Sequence, residues 1–212
     1  LWRPMGFPGL IRGMDKALLP LLGPNDRLGV GSFAGQRMTF SRGFTSNQAD
    51  RLAAFKEVVS ADVVPLADWY GPARIWDAVA AGARQFPGDS PFKSIVLVTD
   101  GQSSGNRLGH AEAIRAAVTR GVVVHVVCQK SWWDGSIAPP GETFVKRLAD
   151  ETGGLFRLDD ALGRDPWDKP ARIFRDILDA IHDITEKEPN PEEMRQVAAR
   201  LASVGWPLED GR

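Results

Sequence analysis

A short apolar run of the sequence is followed closely by an aspartate, whose carboxylate is well placed to bind a ligand. Residues 94–98 are Ser-Ile-Val-Leu-Val, and Thr99, Asp100 and Gly101 follow them. A run that is apolar at nearly every position is typical of a strand covered on both faces, as in a parallel sheet. Ligands of open α/β sheets bind beyond the carboxyl ends of such strands. The sequence therefore predicts that Asp100 lies at the binding edge of a buried sheet.

Aromatic and cationic side chains occur in two loops that are predicted at the same edge. Trp132 and Trp133 follow a second apolar run, and Tyr70 and Arg74 lie in the loop before a helical segment. Tryptophan, tyrosine and arginine are enriched among the residues that anchor protein partners. Burial of one tryptophan and a plain surface role for Arg74 stay open as alternatives. The predicted protein-binding surface comprises the loops 68–74, 100–107 and 129–140, with Gly101 and Gln102 in the second loop.

Other residue types that carry chemistry lack the partners that they need. A serine nucleophile requires a base within hydrogen-bond reach. The sequence offers no such base for Ser103 or Ser104, because His110 is expected to begin a helix and His125 to lie in the core. The glycines at 29–35 lack the spacing of a dinucleotide-binding loop, and the sequence has no Gly-Lys-Ser/Thr phosphate loop. A hydrolase or nucleotide-binding enzyme is therefore the disfavoured alternative.

Composition limits the classes of protein to which the chain can belong. Of its 212 residues 43% are hydrophobic and 25% charged, as in a globular domain with a sizeable core. The formal net charge of -1 provides no overall field that would attract nucleic acid. No apolar run approaches the roughly 20 residues that a membrane-spanning helix needs. The single cysteine excludes an intrachain disulfide and leaves the compartment, cytoplasm or cell envelope, undetermined.

Strands and helices alternate along the chain, which predicts an α/β, doubly wound fold with a mostly parallel sheet. Strands are predicted at 94–98, 122–128 and 155–158, and a hairpin of 27–33 with 37–41 adds one antiparallel edge strand. Residues 45–47 offer a cap to the second helix. Amphipathic helical stripes lie at 10–22, 52–59, 75–86, 111–118, 144–149 and 173–184.

Four short segments resemble those of a von Willebrand factor type A (vWA) domain, and they follow one another in the order and spacing of that family. They are Asp26-Arg-Leu-Gly-Val-Gly-Ser-Phe33, Gly71-Pro-Ala-Arg-Ile-Trp-Asp-Ala78, Ile95-Val-Leu-Val-Thr-Asp-Gly101 and Leu148-Ala-Asp-Glu-Thr-Gly-Gly154. The resemblance covers residues 10 to about 184, and it implies a Rossmann-like sheet of strand order 3-2-1-4-5-6 with binding at the top face. We expect a vWA-like domain over 1–185. A linker and a C-terminal helix over 186–212 would either pack on that domain or dock a partner.

Many members of this family bind a divalent cation at the top face in a metal-ion-dependent adhesion site. That site has an Asp-x-Ser-x-Ser loop, a threonine in a second loop and an aspartate in a third. Asp100 matches the third position, Ala73 stands at the second, and the first motif is absent. A methyl group cannot ligate Mg²⁺, which requires oxygen. The resemblance implies Asp100 as a candidate Mg²⁺ ligand with weak or absent metal dependence. The alternative is a strand-end aspartate that binds nearby backbone N–H groups.

The first strand of the family should precede the helix at 10–22, and residues 1–9 have the composition of a loop. Without that strand, a slot would separate 27–33 from 94–98 and leave backbone groups unpaired. We therefore expect upstream residues in the parent protein to supply this first central strand. Direct pairing of 27–33 with 94–98 would contradict that expectation.

The functional prediction is a non-enzymatic protein-binding vWA module that serves adhesion or assembly through its top-face loops. The resemblance also allows an accessory subunit of an ATP-driven chaperone or metal-chelatase complex, which is the first alternative. The second alternative is a hydrolase or nucleotide-binding enzyme on a similar sheet.

Overall fold

The structure is a computed structural model that describes residues 14–35, 37–59, 73–88, 90, 92–129, 139–159 and 168–186. Its strands are β1 (Gly31–Ala34), β2 (Arg37–Phe40), β3 (Lys93–Thr99), β4 (Val122–Gln129) and β5 (Phe156–Asp159). Its helices are α1 (Gln48–Val59), α2 (Ile75–Ala83), α3 (His110–Thr119), α4 (Pro139–Thr152) and α5 (Asp168–Glu186). A helical turn from Met14 leads into a 3₁₀ turn over Leu19–Leu21.

The main sheet is parallel and has the strand order β3-β4-β5. β4 pairs with β3 along the whole length of β3 and with β5 over its last four residues. Side chains alternate between the two faces of a strand, so Val124 and Val126 face one side of β4 while His125 and Val127 face the other. All four are at most 1% exposed. The apolar run of β4 is thus covered on both faces, as the sequence predicts for a doubly wound sheet. In β3, for which the same was predicted, Leu97 and Thr99 are buried and the other residues are partly exposed.

Helices α2, α3 and α4 cover one face of this sheet and share a hydrophobic core with it. Alanines on α3 that are fully buried allow close helix packing. Gly154, just after α4, lies so close to β4 that a Cβ would be 2.1 Å from the carbonyl oxygen of Val124. Only glycine fits there. The main residues of this core are Ile75, Val79, Leu97, Ala113, Ala117, Val124, Val126, Val145 and Leu148.

β1 and β2 form a separate antiparallel hairpin, and its first strand is shorter than the predicted 27–33. The regular ladder begins at Gly31, and pairing recurs only at the single bridge between Leu28 and Thr45. The ladder stops at Gly31 because of the residue that faces Val30. The hydroxyl of this residue, Ser41, accepts the Val30 N–H at 3.0 Å in place of a backbone carbonyl. Extra residues beyond Ser41 therefore interrupt the ladder.

Among the described strands, β1 and β3 are edge strands of different sheets and do not pair with each other. Helix α2 lies against both sheets. A Cβ at its Gly82 would be 3.4 Å from Ile95 of β3 and 4.0 Å from Phe40 of β2. The direct pairing that would exclude an intervening strand is thus not found in this part of the chain. The strand expected from upstream residues stays a prediction.

The last helix confirms the predicted amphipathic stripe, since Ile173, Phe174, Ile177 and Leu178 are buried. By compactness the chain divides into residues 1–178 and 179–212. Of the second unit, the structure describes the end of α5. The predicted C-terminal helix lies outside the described residues, and the predicted boundary near 185 stays a prediction. None of the helices described has the length and apolar character that crossing a bilayer requires.

Candidate functional site

Two segments lie at the carboxyl edge of the main sheet, and we call them together the rim. They are residues 73–77, which lead into the first turn of α2, and residues 100–109, which follow β3. Asp100 opens the second segment and is half-exposed. Its Oδ1 accepts the backbone N–H of Gln102 at 3.0 Å, and the Thr99 hydroxyl accepts that of Gly101 at 3.1 Å. Gly101 is buried with φ of +78°, a conformation that favours glycine. The carboxylate thus stabilises the turn that leaves the strand.

The backbone of Ala73 joins the two rim segments. Its carbonyl oxygen accepts the Ser103 hydroxyl at 3.2 Å and the backbone N–H of Ser104 at 2.9 Å. The Ser103 hydroxyl in turn accepts the side-chain amide of Asn106 at 2.8 Å. Both hydrogen-bonding functions of this hydroxyl therefore serve the architecture of the rim, and neither of these two partners is a base.

Asn106 caps helix α2 from the other segment. The first N–H groups of a helix have no partner within it, and the residue before α2, Arg74, makes no side-chain capping bond. Instead, the Asn106 Oδ1 accepts the N–H of Trp76 at 2.9 Å and, more weakly, that of Asp77 at 3.5 Å. Asparagine oxygens are good acceptors at this position, so a residue 30 positions away completes the helix.

Asp77 makes the reciprocal connection. The residue is 8% exposed, and its carboxylate accepts the N–H of Arg107 at 3.0 Å and that of Leu108 at 2.9 Å. An acidic residue in the first turn also interacts favourably with the helix dipole. The two segments of the rim are thus bonded in both directions.

The described residues of the rim do not fit a divalent cation. Mg²⁺ requires octahedral coordination by oxygen, and Asp100 offers one carboxylate. The carbonyl oxygen of Ala73 and the carboxylate of Asp77 each already accept two protein N–H or O–H groups. In the part of the chain that the structure describes, no three His, Cys, Asp or Glu side chains are grouped as a metal site would need.

The structure brings some of the predicted contact residues together. Asp100, Gly101, Gln102 and Arg74 all lie in the rim. Gln102 is exposed, and Arg74 is half-exposed with a buried Nε that has no hydrogen-bond partner among the described residues. The predicted aromatic contacts, Tyr70, Trp132 and Trp133, lie outside the described residues.

An aromatic cluster beside the rim was not predicted from the sequence. The ring of His110, the first residue of α3, lies 4.8 Å from that of Phe144 and 6.3 Å from that of Trp76. Phe144 is 38% exposed, and Arg147 approaches the His110 Nε2 at 3.5 Å. Three helices contribute one ring each, so no local sequence pattern indicates the cluster.

His125 is a core residue of β4, as predicted, and only one of its two ring nitrogens has a hydrogen-bond partner among the described residues. Its Nδ1 accepts the N–H of Leu155 at 3.1 Å, so the proton of the neutral ring lies on Nε2. That Nε2 has no hydrogen-bond partner in the described part of the chain. Burial lowers the pKa of His125 from 6.5 to about 4. The ring is therefore neutral near pH 7, and it is 1% exposed.

Solved structures identify the fold. BatB from Bacteroides thetaiotaomicron matches 84% of this chain and 88% of its own, with a TM-score of 0.62 and 17% identity. Proximal thread matrix protein 1 of the mussel byssus, solved with zinc in its metal-ion-dependent adhesion motif, matches 81% of this chain and 40% of its own, with a TM-score of 0.56 and 20% identity. The chain has a vWA-like fold.

A further match is an aerotolerance-related membrane protein from Bacteroides fragilis, with a TM-score of 0.60, 18% identity and coverage of 84% of this chain and 88% of its own. No protein-family model and no curated protein matches the sequence. At these identities the similarity shows the fold alone, and it confirms the resemblance to vWA domains on which the sequence-based fold prediction rests.

Proposed function

We propose that this chain is a non-enzymatic protein-binding module of the vWA type, with the rim as its contact surface. The observation that carries the proposal is the two-way bonding of residues 73–77 to residues 100–109. Surface segments held in one shape lose little conformational entropy when a partner binds. Gln102, Ser104 and Arg107 are exposed on this framework and available for contact.

The composition of the rim suits a protein partner. Arg74 and Arg107 supply guanidinium groups, which are enriched at protein interfaces, and Asp100 places a carboxylate beside them. The net charge of -1 gives nucleic acid no general attraction. Trp132, Trp133 and Tyr70 would add the large apolar contacts that anchor such interfaces. Binding would have weak or absent dependence on Mg²⁺, since Ala73 brings a methyl group where a ligating hydroxyl is expected.

A photo-crosslinking experiment tests the proposal. A photoreactive amino acid replaces Gln102 at the rim or, as the control, Arg120, which is exposed at the end of α3 that is remote from the rim. Both full-length proteins are irradiated in cells of the source organism, and adducts are identified by mass spectrometry. We expect a discrete protein adduct from the Gln102 position that excess unlabelled protein abolishes. Equal adducts from both positions, or none from Gln102, would refute rim binding.

A further inference from the structure

We propose that hydrogen bonds made by Asn106, Asp77 and Ser103, together called the latch, hold the rim in shape without a cation. Many vWA domains bind a divalent ion at this face, and the described residues here do not fit one. Asn106 is then the positioning residue of the rim. The latch deepens the proposed function, because a preformed rim is what a partner would meet, but its existence can be tested without any partner.

The first argument is the direction of the bonds. Asn106 reaches from the loop after β3 to the N–H groups that begin α2, and Asp77 reaches from α2 back to the N–H groups of Arg107 and Leu108. Neither segment can move from the other without leaving backbone N–H groups unpaired. An unpaired buried N–H is costly, so the two directions reinforce each other.

The second argument is the state of the oxygen atoms that a cation would need. The carbonyl oxygen of Ala73 accepts from both Ser103 and Ser104, which uses its two lone pairs. The Oδ1 of Asp100 accepts the N–H of Gln102. A cation could take the other carboxylate oxygen of Asp100, but to use the Ala73 carbonyl it would have to break protein hydrogen bonds. The shape of the rim is therefore set by the latch and does not respond to divalent ions.

Amide hydrogen exchange in the full-length protein tests the latch directly. N106A removes the acceptor at the start of α2 and the donor to Ser103. N47A is the matched control, because the Asn47 Oδ1 caps α1 through the N–H groups of Ala49 and Asp50 in the same way. Each protein is measured with millimolar Mg²⁺ and with EDTA.

We expect the amides of Trp76, Arg107 and Leu108 to exchange about fivefold faster in N106A, as the loss of one helix cap implies, while the amides of β4 keep their wild-type rates. N47A should accelerate exchange only at the start of α1. Mg²⁺ and EDTA should give the same rates for every protein. If N106A does not fold, S103A provides the test, because it removes the two hydrogen bonds of a half-exposed hydroxyl and should accelerate the amide of Ser104.

Three results would overturn the latch: wild-type rim exchange in N106A, wild-type exchange at Ser104 in S103A when N106A does not fold, or rim protection that increases on adding Mg²⁺ to the wild type. Its failure is distinguishable from failure of the proposed function. If the exchange results contradict the latch but Gln102 still forms the adduct, the rim binds a partner and is held in shape in another way. If the exchange results support the latch but Gln102 forms no adduct, only the proposed function is refuted.

Discussion

Acidification from pH 7 to pH 5 should destabilise this protein through His125. Burial holds the pKa of His125 at about 4 in the folded chain, against 6.5 for the ordinary side chain. The unfolded chain therefore takes up a proton first as the pH falls. The contribution of neutral His125 to the free energy of unfolding is therefore complete above pH 6.5 and is lost as the pH falls from 6.5 to about 4.

The expected loss follows from the size of the pKa difference. One pKa unit corresponds to 1.36 kcal/mol, so the full contribution is about 3 kcal/mol. Titration of the unfolded side chain between pH 7 and pH 5 removes about 2 kcal/mol of this free energy of unfolding. The remainder disappears only near the folded pKa.

Urea unfolding at pH 7 and pH 5 of the wild type and H125N measures this loss. Asparagine offers an acceptor oxygen to the Leu155 N–H and does not titrate in this range. H125N will be less stable at both pH values because the ring is lost, but its change between them should be smaller by about 2 kcal/mol. All other titratable groups are common to both proteins. Equal changes would contradict burial of His125 and, with it, the covering of β4 on both faces.

Two further substitutions test the packing and the predicted contacts. G154A should lower the free energy of unfolding by about 3 kcal/mol or more, because its Cβ would overlap a carbonyl group of β4, whereas G88A, with nothing within 4 Å, should stay within about 0.5 kcal/mol. Chemical denaturation compares them, and a stable G154A would disprove the close approach. Replacing Trp132 and Trp133 together by alanine should weaken binding of the cross-linked partner at least tenfold, as hot-spot residues do, with an unchanged unfolding transition. Unchanged affinity would exclude these residues from the interface.

Patterns local in sequence predicted the fold well because local physics decides them. β4 is apolar at consecutive positions since both of its faces are covered, whereas β3 has the same pattern with Val96 and Val98 only half-buried. Asn47 caps α1 as residues 45–47 suggest, and Gly153 ends α4 with φ of +80°. The start of β1 was the exception, because it depends on the side chain of Ser41, the residue after β2.

The architecture of the rim could not be predicted in the same way. Asn106 and Asp77 are ordinary loop and helix residues in sequence, and their roles depend on contacts between residues 29 to 31 positions apart. The unpartnered Nε2 of His125 likewise depends on what packs around β4. The sequence identified the strand end at which Asp100 lies, whereas the bonds that shape the surface around it arise only when the chain folds.

An exchange footprint of the complex tests rim binding most directly. The partner identified through the Gln102 adduct is purified, and amide exchange of the full-length protein is measured with and without it. Rim binding requires slower exchange at residues 73–77 and 100–109 and unchanged exchange at the C-terminal end of α3. Protection confined to elements away from the rim, with none at those two segments, would contradict it.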